Sequence, residues 1–372
     1  MSARTIQARS PLDPHVADTD DVVVRANGAS ISGWKTVSVE RRLDAVSGTF
    51  RLSIQHVEPW PINPGDAVEI YFGAELLLTG YVDSIEAAMD SESSDLVVSG
   101  RDRTQDLVDC AAPESPTELR NVTLEQIAEH VARPYEVEVI TRLNEDLPFD
   151  VWRANVGESS WSAIERGCRK RGALAFADER GRLVLAFPGK ARTERDIGPG
   201  DWLSASLVWT QADRYQVYVV TGQRPGTDDS WGAVVAEARG VARDAGVQRP
   251  RTFVKLAEGP VNQAEADQYA AWMATVRAAR SAQISIKLLG WRQTPRTGPL
   301  WQVNQLVGVN LPRWRLRGEL LLVNAVRFEY PPRTVTLELS RRDAYSAEPQ
   351  VDTDNDPLRG WGNPSLAPIE DD

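Results

Sequence analysis

Cysteine and histidine are scarce in this chain, and their scarcity excludes whole classes of protein. Only two cysteines, Cys110 and Cys168, occur among 372 residues, too few for a disulfide framework or a cysteine metal site. The histidines, His15, His56 and His130, lie far apart in sequence, whereas zinc needs clustered ligands. We therefore expect no metal and no cofactor.

Signals for membranes and for nucleotide chemistry are also missing. No run of eighteen apolar residues occurs, so we expect no membrane-spanning helix, and residues 1–7 contain no apolar core of a secretory signal. The two cysteines fit synthesis and assembly in a reducing cytoplasm. Neither a Walker loop nor a Gly-x-Gly-x-x-Gly motif is present, and Ser32-x-x-Lys35 lacks the partner motifs of penicillin-binding proteins. We expect no catalytic and no cofactor-binding residue.

Acidic charge predominates, with a formal net charge of −11. This balance disfavours a protein that grips nucleic acid by its phosphates. Much of the charge lies in residues 345–372, where seven acidic residues and one arginine accompany four prolines; the composition predicts a disordered tail. Two basic runs, at 166–171 and 313–317, are interpreted as solvated faces, with an acidic partner or passing DNA as the alternative.

Alternating apolar residues predict strands with one buried face. Val37 and Val39 alternate with polar residues, as do Phe50, Leu52 and Ile54. With the further strand signals before residue 110, five or six strands are expected, about the number that a small barrel needs.

Helix signals interrupt this β pattern. Thr123 with Gln126 and Asn262 with Glu265 have the spacing of capping boxes. Another helix is expected over 160–171, ended by a glycine and followed by a hairpin around residues 179–181.

These patterns predict an α+β fold that is mostly β, with two similar antiparallel β-barrel domains and α+β insert domains. The expected divisions are a loose arm at 1–19, a first barrel at 20–110, an α+β insert at 111–199, a second barrel at 200–222 and 281–344, a helix-bearing insertion at 223–280, and an acidic proline-rich disordered tail at 345–372.

Two distant stretches have similar sequences, which indicates a duplicated β-domain. The sequence Glu-Leu-Leu-Leu occurs at 75–78 and at 319–322, and a Ser-x-Arg-Asp ending follows each copy. We expect structurally matched positions in the two copies, with left-handed or bulged backbone at the glycine and asparagine pairs. The matched pairs are Gly65 with Asn304, Gly80 with Asn324, Val82 with Val326, and Asp102 with Asp343.

The first copy resembles the baseplate hub proteins of contractile-tailed phages. Residues 64–66, 79–83 and 99–110 carry the likeness, which is greatest to the Mu-like hub, in the same superfamily as the late-control protein of P2-like phages and the hub part of type VI secretion spikes. The order of the downstream helices and hairpin, and the ending at 337–345, fit as well. The likeness covers about residues 20–345.

The resemblance implies a structural protein of the virion tail baseplate. Its expected form is a homotrimer with two barrels per subunit, a ring that adapts the sixfold tail tube to a threefold central spike and lines part of the DNA channel. Expected partners are tube or tube-initiator proteins, other baseplate proteins and a separate spike protein, with DNA only in passage.

Two alternatives remain open at this point. A cell-wall glycan-binding or glycan-hydrolysing protein of the tail is one, because an acidic chain always offers candidate carboxylate pairs and this one has twelve tryptophans. A hub from a defective, prophage-derived tail or injection machine is the other.

Overall fold

The computed structural model divides the chain into two compact units. The first comprises Met1–Cys168, Ala173–Ser206 and Ser285–Leu339, and the second comprises Arg169–Gly172, Leu207–Ile284 and Ser340–Asp372. The residues that the structure describes are 21–55, 62–89, 94–113, 116, 118–144, 146–189, 191–222, 238–257, 261–295 and 297–346. The expected N-terminal arm and acidic tail lie outside these ranges, except for residues 345 and 346.

Strands make up most of the regular structure, as expected. They are β1 Val22–Ala26, β2 Ala29–Ile31, β3 Thr36–Arg42, β4 Thr49–Gln55, β5 Ala67–Phe72, β6 Glu75–Met89, β7 Ser94–Asp102, β8 Glu118–Val122, β9 Val139–Thr141, β10 Phe149–Arg153, β11 Leu174–Ala177, β12 Leu183–Ala186, β13 Ala191–Arg192, β14 Trp202–Trp209, β15 Val217–Gly222, β16 Ala238–Arg243, β17 Thr252–Leu256, β18 Ala282–Leu289, β19 Gln305–Leu311, β20 Leu316–Tyr330 and β21 Thr334–Ser340. The helices are α1 Gln105–Asp109, α2 Leu124–Ala132, α3 Ser160–Arg171 and α4 Gln263–Arg280.

The described strands include one sheet of thirteen. Its order is β14-β18-β21-β20-β3-β4-β7-β6-β5-β1-β2, and β19 pairs with both β20 and β13. The alternating valines of β3 and apolar residues of β4 are buried, as their period of two predicts. The two expected barrel regions are therefore continuous through the pairing of β20 with β3.

Ion pairs link β3 to the next two strands in the order, β20 and β21. Arg42 donates to both carboxylate oxygens of Glu338, at 3.1 and 2.9 Å, and Arg327 donates to Glu40 at 3.0 Å. Arg42 also pairs with Asp44, and this hydrogen bonding lowers the pKa of the Asp44 carboxyl. Strands nearly three hundred residues apart in sequence are thus held in register by a charge network.

The insert has its own apolar core, built around α2 and α3. The capping box at Thr123 is present, and α2 buries Leu124, Ile127 and Val131. Helix α3 begins at Ser160 and is followed by Gly172 in the left-handed conformation, as its sequence predicts.

Helix α4 packs within the second unit against β15 and β16, which form a sheet with β17. The capping box at Asn262 is present, and Tyr269 and Met273 are buried. Strand β15, expected in the second barrel, lies in this separate sheet because Tyr218 and Val220 pack in the same core cluster as the residues of α4. The structure corrects this part of the expected division.

Candidate functional site

The two β-hairpins that contain the sequence repeat share their geometry. Strands β6 and β20 are each fifteen residues long. Each pairs with the preceding strand, and each pairing has one bulge, after Ile70 in the first hairpin and after Val309 in the second. The two bulges lie at corresponding places and show that the hairpins bend alike.

Gly65 and Asn304 begin these hairpins in the same conformation. Their φ angles are +87° and +62°. The Gly65 amide donates to the carbonyl of Val82 at 2.8 Å, and the Asn304 amide donates to that of Val323 at 3.0 Å. Hydrogen bonding thus aligns Val82 with Val323, three residues before the expected Val326.

The expectation of left-handed backbone at Gly80 and Asn324 is wrong, because neither is among the positive-φ residues of the described chain. A Cβ at Gly80 would lie 2.0 Å from the carbonyl oxygen of Arg101, so glycine is needed there for close approach of strands. Asn324 is buried, and its carbonyl accepts from the Leu43 amide at 2.8 Å. When the two hairpins are aligned on their bulges, the residue that corresponds to Gly80 is Leu321.

Asp102 is fully buried and satisfies hydrogen-bond donors from the turn before β4 and from the start of α1. It accepts from the Gly48 amide at 2.5 Å, from the Thr104 amide at 2.9 Å and from the Thr104 hydroxyl at 2.6 Å. Ser47 adds a hydroxyl at 3.3 Å, while Thr104 also donates to the carbonyl of Val46. This carboxylate anchors the chain where β7 passes into the insert.

Burial sets the protonation of Asp102. It raises the pKa of this carboxyl to about 6, against the opposing effect of hydrogen bonds from Thr104 and Gly48. Its expected counterpart, Asp343, is exposed in a short 3₁₀ turn. The two aspartates, matched by sequence, have different environments.

A polar cleft of about 710 Å³ lies within the first unit. Arg41 is 6% exposed at its wall, its Nε has no hydrogen-bond partner and its Nη1 lies 3.4 Å from Glu179. Burial lowers the pKa of Arg41. Charges of both signs surround the opening, so the cleft has no preference for an anion or a cation on charge alone. The charged residues that line it are Arg41, Arg103, Arg180, Arg182, Glu69, Glu75, Glu136, Glu138 and Glu179.

The candidate residues for metal or nucleophilic chemistry do not come together. In the described ranges, no group of three or more His, Cys, Asp or Glu residues could hold a metal ion. Cys168 is buried, which raises the pKa of its thiol well above the ordinary value. His130 contacts the carbonyl of Pro116, while His15 and His56 lie outside the described residues. No helix in the same ranges is long and apolar enough to cross a membrane.

Strand β14 carries exposed apolar side chains and lies at an end of the thirteen-stranded order. Leu203, Val208 and Trp209 are 54%, 61% and 69% exposed. None of the residues of β14 is buried. Unpaired edges and large exposed apolar side chains are features of protein interfaces. The exposure of β14 could not be read from the sequence.

The two basic runs differ from each other. Arg166 of α3 is bound by Glu158 at 2.9 Å, while Arg169 and Lys170 are exposed. The second run is exposed at Arg313 and Arg315, where the chain forms a 3₁₀ turn that ends in a left-handed residue.

Comparisons with known proteins agree with this architecture. Three successive ranges match family models: residues 21–102 match the N-terminal domain of Mu phage baseplate assembly protein GpP-like proteins, 104–187 match the second domain of gp44-like baseplate hub proteins, and 262–348 match the fourth domain of Mu phage baseplate assembly protein GpP.

Two solved structures have the same fold over most of the chain. The 43 kDa tail protein of prophage MuSo2 from Shewanella oneidensis is 26% identical, with a TM-score of 0.79 over 88% of this chain and 99% of its own. The tail protein from Neisseria meningitidis MC58 is 18% identical, with a TM-score of 0.75 over 88% of this chain and 98% of its own.

The fold and these matches define a structural protein of the phage tail baseplate, a baseplate hub. The chain is 30% identical over 319 residues to baseplate hub protein gp44 of Escherichia phage Mu, which covers 83% of both chains. It belongs to the family of Mu-like baseplate hub proteins, whose place is the virion tail.

Proposed function

We propose that this hub works as a homotrimeric ring without enzymatic activity. In this arrangement three copies each contribute two long-stranded hairpins, so that a threefold protein presents a nearly sixfold set of similar units. The ring would join the sixfold tail tube to a separate threefold spike. The repeated hairpin geometry of β5–β6 and β19–β20 supports this arrangement, and relatedness of the two units by duplication is part of the proposal.

The exposed strand β14 is the observation that carries the proposal. Exposed residues such as Leu203 and Trp209 would be unfavourable in a soluble monomer. A cyclic homotrimer would bury them, because each subunit then presents one surface to its neighbour on one side and a different surface on the other.

The acidic balance of the chain supports a role as a conduit for DNA. A net charge of −11 disfavours retention of phosphates during passage. We further propose assembly in the host cytoplasm, with tube proteins, other baseplate proteins and the spike as partners. We propose the same role for the hub in a functional phage tail and in a defective, prophage-derived tail.

Solution mass tests the trimer directly. Multi-angle light scattering should give three times the subunit mass of 41.1 kDa. The variants L203K and W209K should shift the mass towards one subunit, because a buried lysine in an apolar interface is strongly unfavourable. The matched control S162K changes an exposed polar residue of α3 and should leave the mass unchanged.

A monomer at all concentrations, both alone and with the cognate spike and tube proteins, would contradict the trimer. Zymography on cell-wall glycans should show no clearing. Clearing or specific glycan binding would favour the alternative function.

A further inference from the structure

A second cleft, within the second unit, is basic. Its volume is about 460 Å³. Helix α4 forms one wall. Four cationic side chains and one acidic side chain line it: Arg214, Lys255, Arg277, Arg280 and Asp213.

Two of these cations have no carboxylate partner among the described residues. The Arg277 guanidinium donates to the carbonyl of Asp213 at 3.1 Å and lies 4.4 Å from the centre of the Phe253 ring. Arg280 is exposed and donates to the carbonyl of Ala344 at 3.0 Å. Neutral carbonyls leave both positive charges uncompensated, so the cleft attracts an anionic ligand.

The C-terminal part of the chain passes directly beside this cleft. The indole of Trp272, which lines the cleft, donates to the carbonyl of Ser346 at 3.0 Å. Arg280 holds the carbonyl two residues earlier. Trp272 is only partly buried, unlike Tyr269 one turn earlier in α4, and its indole binds this segment.

The residues that follow Ser346 carry the opposite charge. Glu348, Asp352, Asp354 and Asp356 lie within the next ten positions, and no basic residue precedes Arg359. An extended chain spans about 3.3 Å per residue, so ten residues reach up to ~33 Å. The acidic cluster can therefore reach the cleft from its anchored start.

We propose that the acidic segment at 347–358 docks in cis into the basic cleft beside α4. Its carboxylates pair with Arg277 and Arg280, and its tethering near Trp272 gives it a high effective concentration there. The docked segment occupies the cleft with protein carboxylates and so competes with other anions for these arginines.

Zero-length carbodiimide cross-linking of the full chain tests the docking. Lys255 lines the cleft and supplies an amine, so peptide mapping should find it joined to Glu348 or to the aspartates at 352–356. In a mixture of ¹⁴N- and ¹⁵N-labelled protein, each cross-linked product should contain a single isotope, because both of its peptides come from the same chain. Because exposed charges are screened by salt, their yield should fall at least threefold between 0.05 and about 1 M salt.

Matched variants separate docking from general charge. R280E and, independently, D352N/D354N/D356N should each lower the yield at least threefold. R243E reverses an exposed charge on β16 outside the cleft and should change the yield less than twofold. The triple variant alters only residues beyond the described chain, so it keeps the test valid if R280E misfolds.

Three outcomes would overturn the proposal. The first is a lack of Lys255 products at low salt, and the second is products that join ¹⁴N to ¹⁵N chains, which would assign the cleft to another copy. The third is that a DNA oligonucleotide binds the full chain through Arg280 and that the triple variant binds it with the same affinity.

Discussion

The hairpins β5–β6 and β19–β20 have the same bend but hold it with different side chains. The first begins at Gly65, which has open space around its Cβ position. The second begins at Asn304, whose side chain accepts from the Gly189 amide at 2.7 Å and donates to the Phe187 carbonyl at 3.1 Å. The same positive-φ position therefore accepts glycine, which adopts this conformation without steric cost, and asparagine, whose side chain adds hydrogen bonds.

Their surroundings also differ where each hairpin meets its next strand. In the first, β7 lies so close that residue 80 must be glycine. In the second, Leu321 occupies the corresponding place and is buried. Similar hydrogen-bond ladders thus tolerate opposite side-chain sizes when the neighbouring packing differs.

The largest difference between the hairpins should appear at residue 80. G80V should destabilise the protein by at least about 3 kcal/mol, because its side chain meets the backbone of Arg101. At the corresponding place, L321V removes one buried methylene group and should cost only about 1 kcal/mol. Urea denaturation of both variants measures the difference, and equal losses would contradict the bulge-based alignment of Gly80 with Leu321.

Asp102 should matter far more than Asp343. D102N replaces an acceptor oxygen by a donor facing buried amide and hydroxyl donors and should cost about 2–3 kcal/mol. D343N changes an exposed residue and should stay within about 0.5 kcal/mol. If chemical denaturation shows equal effects, the buried network does not anchor the start of the insert.

The contribution of Asp102 should also depend on pH. Its folded pKa of about 6 lies above the ordinary unfolded value, so the folded state binds the proton more strongly. The stability of the natural protein relative to D102N should rise by about 2 kcal/mol as pH falls from 7 to 4, and be lost again as pH rises through 6. A relative stability that falls over this range would show that Asp102 is not held in a desolvated site.

A smaller loss of stability is expected at Asn304, where the second hairpin begins. N304G keeps the left-handed backbone accessible but loses two side-chain hydrogen bonds, so it should cost about 1–2 kcal/mol. Thermal unfolding monitored by circular dichroism should resolve the loss.

The reciprocal change should be the mildest. G65N places asparagine, which tolerates positive φ, where no atom lies within 4 Å of the Cβ position. It should cost less than about 1 kcal/mol. A loss as large as that of N304G would mean that Gly65 makes an essential close approach in the assembled particle.

Local signals in the sequence determined the helices and most strands. The capping boxes at Thr123 and Asn262, the glycine after α3 and the alternating residues of β3 and β4 depend on hydrogen bonds and periodicities within a few residues. Such features can be read without knowledge of the fold. The order of these elements also carried the resemblance to baseplate hubs.

Tertiary structure alone decided the register and the environment of the repeat. The matching Glu-Leu-Leu-Leu sequences lie on corresponding strands but three residues out of register, because the bulges and backbone hydrogen bonds set the alignment. Asp102 is buried and Asp343 exposed because each environment is made by residues distant in sequence. The exposure of β14 likewise depends on which strands pack over it, and a sequence pattern specifies a strand without specifying its neighbours.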